Sequence, residues 1–178
     1  MKKLISLVLS LVMVVCVAAG CAPADNKPDV KNLTGTMEEL IGKITTQQPV
    51  EIMGGMAMAL DLTDANADRD WQIQSYTGLE NGNDISDVAV YESMVGSIAF
   101  SLVAVRVKEG VDAKTVGEAM KNGIDTRKWV CVAADELMVA GYGDVVMLIM
   151  LDSNLGMNAQ SFVDAFKKVC GADLSFTI

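Results

Sequence analysis

The chain has 178 residues, a formal net charge of −9 at pH 7 and no histidine. Without histidine, Ser-His-Asp and Cys-His catalysis, histidine-ligated zinc and histidine pH switches are excluded. The acidic surface repels phosphate backbones and the basic residues are scattered, so we expect no nucleic-acid partner.

An apolar segment near the start of the chain ends in the run Ala18-Ala19-Gly20-Cys21. This pattern is typical of a bacterial lipoprotein signal, in which small residues fit the peptidase and the cysteine accepts a diacylglyceryl thioether. The segment is shorter than the roughly 20 residues that a membrane-spanning helix needs. We therefore predict lipidation of Cys21 and a location at the extracytoplasmic face of the cell membrane. The alternative is an ordinary secretory cleavage site beside an unrelated cysteine.

The chain then divides into three predicted parts. Residues 1–20 form the signal peptide, residues 21–33 form a disordered tether poor in apolar side chains, and residues 34–178 form a single α+β domain. Because the domain is acidic, the lipid on Cys21 is its expected contact with the membrane.

The first half of the domain predicts three helices and one extended segment. Helices are favoured where apolar residues recur at helical spacing behind a capping residue. The glycines of the run from Val50 to Leu60 favour an extended segment that then turns. The predicted helices run from Thr34 or Thr36 to Ile44, from Thr63 or Asp64 to about Gly78, and from Asp84 or Ser86 to about Val95.

The second half predicts strands alternating with helices. Runs that are apolar on both faces, or that alternate, favour strands, and Gly143-Asp144 is typical of a tight hairpin turn. In order, the elements are a strand at Ser97–Val107, a helix from Asp112 to Gly123, a helical piece from Asp125 or Thr126, a hairpin of Leu137–Tyr142 and Val145–Leu151, a helix from Asn158 to Gly171, and an edge strand at Leu174–Ile178.

This order predicts a ferredoxin-like βαββαβ sheet over residues 97–178. The first and third of its strands are central in that topology, and they are the two runs that are apolar on both faces. The helices before Ser97 are then expected to cover the second face of the sheet.

The residue pattern contains candidate ligands for two kinds of metal site. Met53, Met56 and Met58 offer soft thioethers of the kind that bind Cu(I), although methionine is also common in protein cores. Four oxygen-bearing residues match the first ligand spacings of a calcium loop, but Arg69 replaces its glycine and Ser75 its closing glutamate. We favour a helix cap there and expect no metal or other cofactor. The four residues are Asp64, Asn66, Asp68 and Asp70.

Two cysteines, Cys131 and Cys170, remain in the domain. An exported pair favours a disulfide, whereas their apolar neighbours favour two small buried thiols. The sequence leaves both possibilities open.

Three strings resemble a family of uncharacterised lipoproteins of Gram-positive anaerobes, known as a domain of unknown function. The resemblance covers most of the mature chain, and it implies a lipid-anchored α+β domain with no catalytic residue to assign. The strings are Glu92-Ser93-Met94 leading into Ile98-Ala99-Phe100-Ser101, then Asp125-Thr126-Arg127-Lys128-Trp129, and then Tyr142-Gly143-Asp144-Val145-Val146.

The candidate binding residues are Arg127, Lys128 and Trp129. A guanidinium and an ammonium beside an aromatic face can bind an anion or a carbohydrate, although Trp129 at helical spacing equally fits a core position.

We expect the protein to be a non-catalytic binding or accessory module that binds an envelope protein or a small ligand. A small hydrolase acting on envelope glycans is one alternative, because Glu80, Asp84 and Asp87 cluster around the Asn81-Gly82 turn. A lipoprotein that carries copper or another metal is the second alternative.

Overall fold

The computed structural model describes residues 31–63 and 67–178, and Lys31–Ile178 form one compact unit. The signal peptide, Cys21 and most of the tether lie outside the described residues. The elements in chain order are α1 (Met37–Gln47), β1 (Gly55–Ala59), α2 (Ala67–Thr77), β2 (Ile85–Ser93), β3 (Phe100–Val107), α3 (Ala113–Gly123), β4 (Glu136–Tyr142), β5 (Val145–Leu151), a 3₁₀ turn (Ser153–Leu155), α4 (Ala159–Cys170) and β6 (Phe176–Thr177).

The six strands form one antiparallel sheet in the order β1-β2-β3-β5-β4-β6, with helices on both faces. Helices α1 and α4 contact each other and cover one face, where the Phe162 ring of α4 meets Phe100 of β3. Helices α2 and α3 cover the other face through a cluster that includes Ile73 and Met120. The α+β class predicted from the sequence is therefore confirmed.

The central position of β3 and β5 follows from their sequences. All seven residues of β5 are buried, as are seven of the eight in β3, and the exception is Arg106. A strand that is apolar on both faces is most stable when other layers cover both sides, because its side chains are then removed from water. The prediction that these two runs lie side by side in the middle of the sheet is confirmed.

The ferredoxin-like order is not the order found. That order would place the last strand beside β3, but β2 occupies this position and β6 pairs with β4 instead. The nine-residue β2 forms a long antiparallel ladder with β3, whereas β6 has only two residues. Helices α3 and α4 also lie on opposite faces of the sheet, so each face is covered by one early helix and one late helix. The prediction that the helices before Ser97 together cover the second face is therefore wrong.

The helix predicted from Asp84 or Ser86 to Val95 is wrong, because these residues form β2. Val88 and Val90 are buried on the face of α2 and α3, while Ala89 between them is buried against the opposite layer. A two-residue alternation of β-branched side chains suits a strand that is covered on both faces.

The helical piece predicted from Asp125 or Thr126 is also absent from the structure, where residues 124–135 form an irregular loop. The Arg127 amide donates to the Asp125 carboxylate at 2.8 Å, and the Ala134 amide donates to the Thr126 carbonyl at 2.8 Å. An aspartate that bonds the backbone two residues later favours a turn over a helix.

The other predicted helix ends are confirmed where capping chemistry is local. Thr36 and Glu39 form a capping box at the start of α1, and Asp112 caps α3. Asn158 caps α4, which ends at Gly171 in the left-handed conformation. The hairpin turn between β4 and β5 contains Gly143, whose φ is +59°.

The last strand is held by a ring that lies over two glycines. A Cβ atom on Gly141 of β4 would overlap the Phe176 ring, and one on Gly117 of α3 would lie 2.9 Å from the same ring. Phe176 thus packs against the backbone of both elements, which explains glycine in the middle of a strand and of a helix.

Candidate functional site

The loop of residues 124–135 is fixed to the sheet by an ion pair. The Lys128 ammonium lies 2.5 Å from a carboxylate oxygen of Glu92 near the end of β2, and each side chain is only 11% exposed. The same ammonium donates to the Ser75 carbonyl of α2 at 3.1 Å. Lys128 therefore joins three parts of the chain that are distant in sequence.

Two aromatic rings complete the surroundings of this ammonium. It lies 5.0 Å from the ring centre of Tyr76 and 5.3 Å from that of Trp129. At these distances a cation is attracted by the negative face of an aromatic ring. The Lys128 ammonium thus interacts with a carboxylate, a carbonyl and two aromatic rings, all of which belong to the chain itself.

Burial sets the electrostatics of the pair. Burial lowers the pKa of Lys128, while the neighbouring Glu92 carboxylate opposes this change. Burial, together with the charge of Glu92, raises the pKa of Tyr76. Because two charges lose their hydration here, the pair is weak as a source of net stability, although removing only one partner is expensive.

A buried hydroxyl lies beside the ion pair. Ser101 of β3 is directly opposite Glu92 in the ladder, is fully buried, and has no hydrogen-bond partner for its Oγ within the described residues. The same cross-strand row continues to Met150 of β5. This end of the sheet therefore holds a polar group inside an apolar layer, which carries a desolvation cost.

Five large hydrophobic side chains are exposed in the described part of the chain, and each stands on a segment that the ion pair connects or on a segment bonded to one of these. We call these residues the apolar surface: Met53, Met56, Trp71, Met94 and Val130.

The three methionines stand on β1 and β2 or directly beside these strands. Met56 is the cross-strand partner of Glu92, and Met94 follows Glu92 by two residues. The Met53 carbonyl accepts a hydrogen bond from the Ser93 hydroxyl at 2.6 Å. Met94 therefore follows the Glu92 strand directly, and Met53 and Met56 lie on backbone that is bonded to this strand.

Val130 and Trp71 stand on the loop and on the helix that Lys128 connects. Val130 follows Lys128 by two residues, and its amide donates to the Gly96 carbonyl at 2.8 Å. Trp71 lies one helical turn before Ser75 and is 66% exposed. It lines a shallow cavity of about 250 Å³ together with Lys128 and Asp125.

The three residues predicted to bind a ligand have different surroundings. Arg127 is exposed, Lys128 lies in the ion pair, and Trp129 is half-buried against the core. A ligand site formed by all three stays a prediction.

Glu92, Trp71 and Met94 are not among the site residues that the sequence predicts. The sequence does contain a signal for Glu92. Side chains alternate along a strand, so Glu92 is an acid that follows Val88 and Val90 on the same, otherwise apolar, face.

The three carboxylates of the hydrolase alternative do not all line one cavity. Glu80 and Asp84 are exposed and line one open cavity beside the end of α2. The Asp87 carboxylate instead accepts a hydrogen bond from the Met37 amide at 2.9 Å, at the start of α1. Asp87 therefore stabilises a helix end, and it is not among the residues that line the cavity.

The candidate metal ligands are also divided. Met58 packs against the core while Met53 and Met56 are exposed. Asp64 and Asn66 lie outside the described residues, and Asp70 pairs with Arg69 at 2.7 Å. Within residues 31–63 and 67–178, no group of three or more acidic or cysteine side chains could hold a metal ion.

Cys131 and Cys170 are both free thiols. Cys131 is exposed and has a φ of +64°, a left-handed conformation that is uncommon outside glycine. Cys170 is half-buried in the last turn of α4, and burial raises its pKa to about 12.

Comparison with protein-family models, with curated proteins and with solved structures finds no match for this chain. None of the helices in the described residues has the length and apolar character needed to cross a membrane. Function is therefore inferred from the chain's own residues.

Proposed function

We propose that this chain is a lipid-anchored, extracytoplasmic and non-catalytic module that binds a protein partner of the cell envelope through the apolar surface. The lipid on Cys21 supplies the membrane attachment, as the small residues before this cysteine indicate. The observation that carries the proposal is that all five large hydrophobic side chains exposed in the described residues stand on segments that one buried ion pair connects, or on segments bonded to these. Exposed apolar patches of this kind mark interaction sites.

A protein fits this surface better than a small molecule does. The cavity beside Trp71 measures about 250 Å³, which is below the roughly 300–1,000 Å³ of small-molecule sites. Tryptophan and methionine are the side chains that protein interfaces favour. The buried ion pair beneath them fixes the loop and the strand, so that the surface is formed before binding and little ordering entropy is lost.

An anionic membrane fits the surface less well than a protein does. Exposed carboxylates stand on the elements that carry the apolar residues, including Asp68 one turn before Trp71, Asp125 in the cavity wall and Glu51 before Met53. The nearest buried cation, Lys128, is already paired with Glu92. Negative charge around an apolar patch opposes contact with anionic headgroups and favours a cationic partner.

The anchor is tested by mass spectrometry of the protein isolated from membranes of its bacterial host. We expect Cys21 to be the first residue and to carry a diacylglyceryl group, and the Cys21→Ala variant to leave the membrane fraction. An unmodified Cys21, or a variant that stays with the membrane, contradicts the anchor.

The binding surface is tested by photo-crosslinking in intact membranes. A photoreactive amino acid at position 94 is expected to label one protein reproducibly, and the same group at Lys114, an exposed residue of α3, is not. Trp71→Ala should weaken the labelling, whereas Gln72→Ala, an exposed neighbour on the same helix, should not.

Three outcomes contradict the proposed function. Equal labelling from positions 94 and 114 removes the surface, and labelling of lipid in place of protein assigns it to the membrane. Hydrolysis of envelope glycans that is lost in Glu80→Gln or Asp84→Asn supports the hydrolase alternative.

A further inference from the structure

We propose that the partner binds by adding an extended, cationic segment as a seventh strand along the outer edge of β1. This inference rests on the proposed function, since β1 carries one of the residues of the apolar surface, and it names the kind of partner that the surface receives. The backbone of β1, its uncharged side chains and the charges beyond its ends each point to this occupant.

The backbone of β1 presents hydrogen-bonding groups on its outer side. The Met94 amide donates to the Gly54 carbonyl, and the Leu60 amide donates to the Val88 carbonyl. Hydrogen-bonded pairs alternate along an antiparallel ladder. The backbone amide and carbonyl groups of Met56 and Met58 therefore also face β2. The amide and carbonyl groups of Ala57 and Ala59 therefore point outward, and no other strand of the described residues pairs with them.

This edge lacks the features that usually prevent strand pairing. Its five residues are Gly-Met-Ala-Met-Ala, with no charge and no proline. Proteins commonly protect sheet edges with lysine, proline or very short strands. The opposite edge of this sheet follows the rule, because β6 has only two residues. The edge at β1 is thus open to an added strand, which is a common mode of peptide recognition.

Charge decides between a second copy of this chain and a different partner. The exposed carboxylates Glu51 and Asp61 lie beyond the two ends of β1. A hydrogen bond from the Thr63 side chain and another from its backbone hold the pKa of Asp61 below its usual range, so this group is ionised at neutral pH. In an antiparallel pair of two β1 strands, the acids of one copy would approach those of the other. A segment with lysine or arginine at its ends would instead form favourable pairs.

The side chains of an added strand would extend the cross-strand rows. A residue opposite Met56 would lie in the row that contains Glu92 and Ser101, next to the exposed methionine. Apolar side chains on this face of the segment would therefore contact the apolar surface. The backbone edge supplies hydrogen bonds, and the methionines supply selectivity for apolar residues at alternate positions.

The test uses the peptide acetyl-Lys-Thr-Val-Thr-Val-Thr-Lys-amide as the probe and amide hydrogen exchange of residues 31–178 within the full chain as the readout. At saturating peptide we expect exchange at Ala57 and Ala59 to slow by about tenfold. Met56 and Met58, which already bond to β2, should change little. A peptide with glutamate in place of both lysines should protect neither alanine.

The matched variants are Ala57→Pro and Ala57→Val. Proline removes the outward amide and leaves the bonds to β2 in place, while valine has similar bulk and keeps the amide. We expect Ala57→Pro to abolish peptide protection and also the crosslink formed from position 94, and Ala57→Val to retain both. Urea unfolding of the two variants checks that each is folded.

The outcomes separate the two proposals. A crosslink that persists in Ala57→Pro, or an absence of protection at Ala57 and Ala59, overturns the edge pairing and leaves the proposed function standing. If the photoreactive group at position 94 forms no specific crosslink in the otherwise wild-type protein, the proposed function itself is overturned. Protection of both alanines that grows with protein concentration and needs no peptide assigns the edge to a second copy, and this also overturns the cationic segment.

Discussion

Lys128 and Glu92 form a buried ion pair at 2.5 Å between residues that are 36 positions apart in the chain. The pair holds the loop of residues 124–135 against the end of β2, and the exposed hydrophobic side chains stand on the segments that it connects or on segments bonded to these. Its removal should therefore change the stability of the fold as well as the order of the proposed binding surface.

Replacing Lys128 by methionine leaves the Glu92 carboxylate buried without its partner. The free energy of unfolding should fall by about 3–5 kcal/mol. The double variant Lys128→Met with Glu92→Leu should recover most of this loss, because no buried charge remains. Urea unfolding of the two single variants and the double variant measures the coupling directly.

The pair formed by Lys114 and Glu118 provides the control. It lies on the surface of α3 at 3.8 Å, with both side chains more than half exposed. Lys114→Met should cost no more than about 1 kcal/mol. If Lys128→Met costs as little as this control, the buried pair does not have the role assigned to it.

The thiol of Cys170 predicts a loss of stability at alkaline pH. Burial raises its pKa from 9.0 to about 12, so the folded protein keeps a proton that the unfolded chain releases. The contribution of this group is fully present below pH 9 and is lost as the pH rises toward 12. Thermal or urea unfolding between pH 8 and pH 11 should show a weaker decline in Cys170→Ala than in the wild type.

Gly141 should be intolerant of any side chain. Alanine at this position would overlap the Phe176 ring, and we expect a loss of about 1–3 kcal/mol. In a Phe176→Ala background the added methyl group has room, so the same substitution should cost clearly less. Gly42→Ala is the control, because a Cβ atom there meets nothing and alanine favours the α1 helix. Equal costs in the two backgrounds would show that the ring is not the cause.

Cys131 is strained by its left-handed backbone conformation. Cys131→Gly should stabilise the fold by about 1 kcal/mol, because glycine adopts a positive φ without steric cost. Cys131→Ala removes the thiol but keeps the Cβ atom, so it should leave the unfolding midpoint nearly unchanged. A stabilisation shared by both variants would trace the effect to the thiol rather than to the backbone.

Much of the fold was predictable because its signals are local. Thr36, Asp112 and Asn158 bond to amides three residues later, and such caps are visible in the sequence. The identity of β2 was not predictable in this way. Its apolar residues fit helical spacing as well as alternation, and only pairing along β3 decides between them.

The candidate site was predictable in part. Lys128 and Trp129 stand out in the sequence as a cation beside an aromatic ring, but the groups that surround them come from α2 and β2. The contact between Lys128 and Glu92 depends on the order of strands and on an irregular loop, and neither has a local signal. The exposed positions of Trp71 and Met94 likewise follow from tertiary packing rather than from their neighbours in sequence.

The two helical layers have a consequence for how the chain is made. Each layer combines one helix from the first half of the domain with one from the second. Neither layer is therefore complete until its later helix, α4 or α3, has been synthesised. A chain synthesised from its N-terminus cannot close the layer under α1 until Cys170 has emerged. The apolar face of α1, with Met37, Ile41 and Ile44, also packs on β2 and β3, so until then it lacks only its neighbour α4. Truncation within α4 should therefore leave the face of α1 partly uncovered and should yield insoluble chains rather than a smaller folded domain.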